Sequence, residues 1–289
     1  MIVPEFEYCV PGSVQEACSM LAQYGGKAKV LAGGTDLMVK MKNRLLKPEY
    51  LVSLKNLEEL RGIRYVAGRG VVIGSRTTHN EVISSALLRE KYRSVCEAAH
   101  TMAAYQVRNV GTIGGNLVNA VPSADMPPIL IALGAVVRIV GVKGEREMLL
   151  EDFFVGPNRT VLEADEILVE VVIPDQRTTG SNYIKFGLRK AGALAVAGVA
   201  SSVEMDGEVI KGAKVVMGAV APTPLRAREA ESFLCGKAVS QELLEEAGKV
   251  AAKESKPISD IRGSAEYRRN LVYVLTKRSL KAAIERGHV

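Results

Sequence analysis

The sequence predicts an α+β chain in three parts: subdomains at 1–57 and 58–176, then a C-terminal antiparallel sheet with helices at 177–289. Three observations carry that expectation. The 289 residues exceed a usual single core, and 47% of them are hydrophobic, enough to bury a sizeable interior. Two glycine-rich turns, Ala32-Gly33-Gly34-Thr35-Asp36 and Thr112-Ile113-Gly114-Gly115-Asn116, stand about eighty residues apart within the first two parts. A polar, breaker-containing stretch, Gln176 to Ser181, then precedes a set of strand-like segments.

Residues 14–24 have the apolar spacing of a short amphipathic helix, with Ser13 as its N-cap and Gly25-Gly26 as its stop. Lys29-Val30-Leu31 reads as a buried strand feeding the first turn. Residues 36–41 form the next helix and 50–54 a further strand, which makes a small βαβ-like unit. From Leu57 the character changes, with short strands at 63–66 and 71–74 joined by Ala67-Gly68-Arg69-Gly70. A helix is expected after Thr78, with Thr78 or Asn80 near its start. A second helix is expected over 92–104, leading through Gln106 to Val110 into the second turn. Residues 126–140 are interrupted by Pro127, Pro128, Gly134 and Arg138 and read as a buried helix followed by a strand; 167–173 reads as a strand ended by Pro174. In the last part, strands are expected at 183–186, 195–204 and 212–220, with a hairpin turn at 205–208. Helices are expected at 226–234, 241–254 and 265–285.

Composition narrows the function classes. No charged, apolar, cleavable N-terminal pattern and no uninterrupted apolar run of about 18 residues is present, so a soluble cytoplasmic protein without membrane insertion is expected. Cys9, Cys18, Cys96 and Cys235 are scattered without CxxC spacing. With only His79, His100 and His288 beside them, no metal or iron–sulfur site is expected within this chain. The absence of Trp argues against stacking on single-stranded nucleic acid. A formal charge of +6 favours an anionic ligand or an acidic partner subunit. The densest early cations, Lys40, Lys42, Arg44 and Lys47, read as a solvated face or as an interface or phosphate-steering group.

The two turns suggest the ligand. Glycine lets the main chain adopt positive φ and approach a ligand closely, and neighbouring N–H groups form an anion-binding concavity. Two such turns folded together would hold a diphosphate, hence a dinucleotide. Neither common nucleotide fingerprint fits. Gly25-Gly26-Lys27 is followed by Ala28 without the P-loop spacing, and neither turn has the GxGxxG pattern with its later acidic residue. Each glycine pair alone is an ordinary turn; the flanking context is what distinguishes them.

That context is AGGTDLMVKMK at 32–42, QVRNVGTIGGNLVNAVPSAD at 106–125, EILVEVVIP at 166–174 and the strand Tyr183-Ile184-Lys185. Through these segments nearly the whole chain resembles the FAD-binding medium subunit of the molybdenum hydroxylases, of the carbon monoxide, nicotinate and xanthine dehydrogenase type. The resemblance implies a two-subdomain FAD-binding region of PCMH type followed by a smaller C-terminal domain. It implies that Val30, Leu31, Ala32, Gly33, Gly34, Thr35, Asp36 and Leu37 form a first diphosphate loop. Thr112, Ile113, Gly114, Gly115 and Asn116, with Val118 and Asn119, would form a second. Asp125 would orient the cofactor, Leu168 would pack near the ring system, and Lys185 would stabilise the reduced ring.

Read as isolated residues, Asp36 and Asp125 equally suit helix caps, and Lys185 a solvated strand position. Tyr183 shares a face with Lys185 by strand alternation and either flanks the flavin or packs the core. No cysteine or histidine stands beside the two loops in sequence, which favours noncovalent FAD. The segment after Lys185, 186–192, lacks an acidic residue, which leaves acceptor choice open. The resemblance further implies an electron-transfer subunit with no catalytic residue of its own. It would receive electrons from a small [2Fe–2S] subunit in a dimer of heterotrimers with a large molybdopterin-binding subunit, and pass them to an acceptor such as NAD⁺ or a quinone. A free-standing flavin oxidase or dehydrogenase and a noncatalytic assembly subunit are the competing readings.

Overall fold

The first sheet is a parallel one, built where apolar strand segments alternate with short helices. The computed structural model describes residues 3–175 and 180–287, so the expected boundary at Gln176 falls outside the described residues. β1 (Glu7–Cys9), β2 (Ala28–Leu31) and β3 (Tyr50–Ser53) lie in the order β1-β3-β2, with α1 (Val14–Tyr24) and α2 (Leu37–Lys42) as crossovers. Ser13 Oγ accepts the Glu16 N–H at the start of α1, and Gly25 at φ 54° ends it. β1 escaped the sequence reading because only Cys9 of its three residues is buried, which leaves no alternation to detect.

The second sheet is antiparallel. β4 (Ile63–Val66), β5 (Gly70–Gly74), β6 (Val136–Gly141), β7 (Gly144–Leu149) and, after the small pair β8 (Phe154–Gly156) and β9 (Arg159–Thr160), β10 (Ile167–Ile173) take the order β4-β5-β10-β6-β7. β10 is the central strand and all seven of its residues are buried, hence its unbroken apolar run apart from Glu170. The Glu170 carboxylate is matched by the guanidinium groups of Arg64, Arg69 and Arg138. A bulge between Leu168 and Glu170 inverts the alternation. Ile167 and Val169 therefore join the core of the first sheet, while Leu168, Val171 and Ile173 join the core of the second. β7 carries Glu145-Arg146-Glu147 on an exposed edge and offered no apolar pattern to read.

Between β5 and β6 run α3 (His79–Ser84), α4 (Ala86–Lys91), α5 (Arg93–His100), α6 (Tyr105–Arg108), α7 (Ile113–Asn119) and α8 (Met126–Ala132). The helix expected over 92–104 stops at His100. Ala103 turns the chain at φ 38°, and Arg108 Nη1 pins that turn by donating to Met102 O at 2.6 Å.

The third sheet comprises β11 (Gly180–Gly187), β12 (Ala195–Asp206), β13 (Val209–Gly218), β14 (Leu225–Arg226) and β15 (Lys237–Ala238), with β15 pairing to β13. It is covered by α9 (Arg228–Leu234), α10 (Gln241–Glu254) and α11 (Ala265–Gly287). Tyr183, Ala200 and Val216 reach from this sheet into the core of the second. The whole is the α+β architecture expected.

Candidate functional site

The first glycine turn rests on Val110 and Gly111, the residues that lead into the second. A Cβ at Gly33 would lie inside the contact distance of the Val110 carbonyl oxygen and 2.8 Å from its carbon, so only glycine lets the chain between β2 and α2 reach that far. The second turn is fastened from beneath. Gly114 N–H donates to Ser75 O at 2.8 Å, and a Cβ at Gly114 would stand 2.7 Å from that same oxygen.

The two turns differ in what they leave for a ligand. Among the described residues, the N–H groups of Gly33, Gly34, Thr35, Asp36 and Leu37 find no acceptor in the chain, an anion-binding cradle. The second turn has mostly consumed its own donors. Ile113 N–H goes to Thr77 O at 2.9 Å, Gly115 N–H to Thr112 Oγ1 at 3.1 Å, and Asn116 N–H to Thr112 O at 3.0 Å. The second loop therefore positions the first and contributes chiefly side chains, unlike the symmetric pair of donor loops expected.

A cavity of about 760 Å³ opens beside both turns. Val30, Ala32, Gly33, Gly34, Thr35, Asp36, Leu37, Thr112, Gly114, Gly115, Asn116, Val118, Asn119, Asp125, Leu168 and Lys185 all line it. Leu31 and Ile113 do not. Leu31 is held by β3, where its carbonyl takes the Leu54 N–H at 2.9 Å, and the Ile113 side chain is fully buried in the second core.

At the far end Lys185 Nζ donates to Asp125 Oδ2 at 2.7 Å and to Thr101 O at 3.1 Å, while Tyr183 OH donates to Asp125 Oδ1 at 2.8 Å. Both ionic side chains are under one-tenth exposed. Strand alternation puts Tyr183 and Lys185 on one face of β11, and both turn to the same carboxylate. Asp125 precedes α8 yet makes no side-chain cap, and Asp36 makes none at α2, so the capping readings do not describe either residue. Nor is Lys185 a solvated strand residue or a free positive charge; its ammonium is neutralised by Asp125. Burial pushes the Asp125 carboxyl up, opposed by Lys185 and Tyr183, and burial also holds the Tyr183 phenol well above its ordinary range.

Among the described residues, three that line the cavity carry a buried polar atom without a partner: Ser75 Oγ, His79 Nδ1 and Asn116 Oδ1. Ser75 and His79 were not singled out from sequence. Thr78 and Glu81 form a capping box, the local signal that could have placed His79 in the first turn of α3. There its N–H meets Gly111 O at 3.1 Å. A histidine thus stands beside the second loop in space, though none does in sequence. Burial, helped by the Arg108 charge, lowers His79 to about 4, so its ring is neutral near pH 7.

These features fit a flavin dinucleotide. The N–H cradle suits a diphosphate, and the unpartnered Ser75, His79 and Asn116 atoms suit hydroxyl groups. The apolar wall of Leu168 and Met102, ending at the Lys185–Asp125 pair, suits an aromatic ring with polar edges. Among the described residues no group of side chains could hold a metal ion.

Residues 4–176 match the family described as the FAD binding domain in molybdopterin dehydrogenase, and 182–283 match the CO dehydrogenase flavoprotein C-terminal domain. The chain is 39% identical over 284 residues to the carbon monoxide dehydrogenase medium chain of Hydrogenophaga pseudoflava, covering 98% of each. It is 31% identical over 274 residues to the xanthine dehydrogenase FAD-binding subunit of Escherichia coli O157:H7, covering 94% of each. The solved structure of the Hydrogenophaga pseudoflava carbon monoxide dehydrogenase superposes with a TM-score of 0.95 at 39% identity over 99% of both chains. Quinoline 2-oxidoreductase from Pseudomonas putida 86 superposes at 0.93 with 33% identity, covering 99% of this chain and 100% of that one.

Three outcomes follow from the geometry. Gly33→Ala drives a methyl group into the Val110 backbone, so the variant should lose flavin while a Gly115→Ala variant, whose Cβ would meet only Thr112 Oγ1 at 3.0 Å, keeps most of it; absorbance of the purified proteins reads this directly. Asp125→Asn or Lys185→Met alone strands a buried charge and should destabilise the fold by about 3–5 kcal/mol in denaturant titrations. The double variant should recover most of that loss. His79 has a folded value of about 4 against 6.5 unfolded, so the unfolded chain binds the extra proton first and stability falls as pH drops from 6.5 to 4. That loss should reach about 3 kcal/mol and be absent from the same titration of His79→Gln.

Proposed function

We propose, from the premise that this chain belongs to the FAD-binding flavoprotein family of the molybdopterin dehydrogenases, that it is the electron-transfer subunit of a molybdenum hydroxylase. In that role it takes electrons from the [2Fe–2S] clusters of a small subunit, in an assembly with a large molybdopterin-binding subunit, and delivers them to an acceptor such as NAD⁺ or a quinone. The family match over nearly the whole chain and the high coverage of multisubunit relatives support this. A dimer of heterotrimers in the cytoplasm is the assembly and location we assign. Among the described residues no helix is long and apolar enough to cross a membrane.

One observation carries the reading: the interlocked turns leave unpartnered N–H groups at the mouth of a cavity whose other end is a buried ion pair. We place the parts at 1–57, 58–176 and 177–289, supported by the three sheets. When bound, FAD supplies the exchange between single-electron donors and a two-electron acceptor. The protein's share is positioning. In this assignment Gly33 to Leu37 hold the diphosphate, and Ser75, His79 and Asn116 take hydroxyl groups. Leu168 packs the ring, and the Lys185 ammonium, fixed by Asp125 and Thr101 O, presents a hydrogen-bond donor without net charge.

Purified chain should carry one FAD per polypeptide, released entirely into the supernatant on acid precipitation. Colour retained in the pellet would mean a covalent bond, with His79 the first residue to test. Reduction of the flavin by the complex's substrate should require the partner subunits.

A further inference from the structure

We infer that Arg108 is a positioning residue for the ring end of the cavity: its guanidinium holds the turn at 101–103, and through the Thr101 carbonyl that turn aims the Lys185 ammonium. The inference rests on the function proposed above and assigns a residue outside the cavity to the tuning of that site.

The ring end is built on one short turn. After α5, Thr101 O accepts from Lys185 Nζ at 3.1 Å, and Met102 and Ala103 line the cavity. The first half of the turn is held by its own helix, since the Thr101 N–H meets Glu97 O at 3.2 Å and the Met102 N–H meets Ala99 O at 3.2 Å. The second half is not. Among the described residues one donor reaches the carbonyls of Met102 and Ala103, namely Arg108 Nη1 at 2.6 and 3.4 Å. Ala103 also holds φ 38°, a strained conformation for a residue with a side chain, so the turn keeps its shape only against an outside contact.

Arg108 is placed to be that contact. It is half-buried, it does not line the cavity, and among the described residues no carboxylate pairs with it. Its charge bears on the buried ring of His79, and its own Nε is buried without a partner. A cation kept in such surroundings is costly, and the bonds it makes there are to the two carbonyls. Its helix matters as well. α6 runs on to Val110, on which Gly33 rests, and the Gly111 N–H returns to Val107 O at 2.7 Å. One short helix thus ties the ring-end turn to the platform of the first glycine turn.

The effect on the ring passes through Lys185. An ammonium carries three N–H donors on a tetrahedral nitrogen. Asp125 Oδ2 takes one and Thr101 O takes another. Two fixed directions fix the third, which is the donor left for the ring. Without Thr101 O the ammonium turns about its Cε–Nζ bond with Asp125 alone to hold it, and a reduced ring loses a preorganised partner.

The test is the FAD content and two-electron potential of the full chain. Arg108→Met should keep one FAD, because the donors of Gly33 to Leu37 are untouched. It should hold reduced relative to oxidised flavin about ten-fold less tightly, a fall of about 30 mV in a dye-coupled titration. Arg108→Lys, which can reach one of the two carbonyls, should lie between Arg108→Met and wild type. Asn80→Ala is the control for loosening α6 alone, since Asn80 Nδ2 donates to Tyr105 O at 3.3 Å and to Asn109 Oδ1 at 3.4 Å, and it should keep the wild-type potential. In a Lys185→Met/Asp125→Asn background, adding Arg108→Met should shift the potential no further. A wild-type potential for Arg108→Met, an equal fall for Asn80→Ala, or an undiminished fall in the background without the ion pair would overturn the inference and leave the proposed function standing. So would loss of FAD from a folded Arg108→Met, which would assign the residue to the diphosphate platform. Should Arg108→Met not fold, Arg108→Lys decides alone, and a wild-type potential there overturns the inference. A wild-type chain that binds no FAD would overturn the proposed function itself.

Discussion

The contact on which the rest of the site depends is backbone against backbone, Gly33 on the carbonyl of Val110. It joins the βαβ unit to the helical segment between β5 and β6 at a point where no side chain could fit. Because the two chains meet so closely, the donors of the first turn face outward from a fixed platform. The second turn spends its own donors on Thr77, Ser75 and Thr112 to hold that platform still. A loop whose hydrogen bonds are satisfied within the protein is held in place, and a fixed platform leaves the open donors of the other turn preorganised for an anion, with little reorganisation needed when the ligand arrives.

The Lys185–Asp125–Tyr183 group plays the matching part at the other end. Thr101 follows α5, Asp125 precedes α8, and Lys185 belongs to the third sheet, so one buried ion pair brings together segments remote in sequence. Isolated, either charge would be too costly to bury; together with the phenol and the carbonyl they are satisfied. The site therefore depends on the third sheet being docked.

How much was legible in the sequence follows from the range of the interactions involved. Helix α1, capped by Ser13 and stopped by Gly25, and helix α10, begun by Ser240, were readable because caps and apolar period are local. β10 was readable because every residue in it is buried. β1 and β7 were not, being a short edge and a polar one. Of the residues named from the resemblance, all but Leu31 and Ile113 line the cavity. The resemblance did not show which loop had donors to spare, because that depends on Ser75 and Thr77, some forty residues upstream of the second turn. His79 escaped for the same reason: its place comes from the packing of α3 on Gly111, and the expected helix start at Thr78 or Asn80 did not show it.

The bulge in β10 also bears on how the molecule comes apart. By turning Ile167 and Val169 one way and Leu168, Val171 and Ile173 the other, a single strand serves two cores at once. Neither core can lose that strand without exposing the other, so the packing ties the first two sheets together through β10. The N-terminal fifty residues thus share their core with residues far along the chain, Val140, Ile167 and Val169. Excised from the chain they would lack the wall against which α1 and β3 are packed.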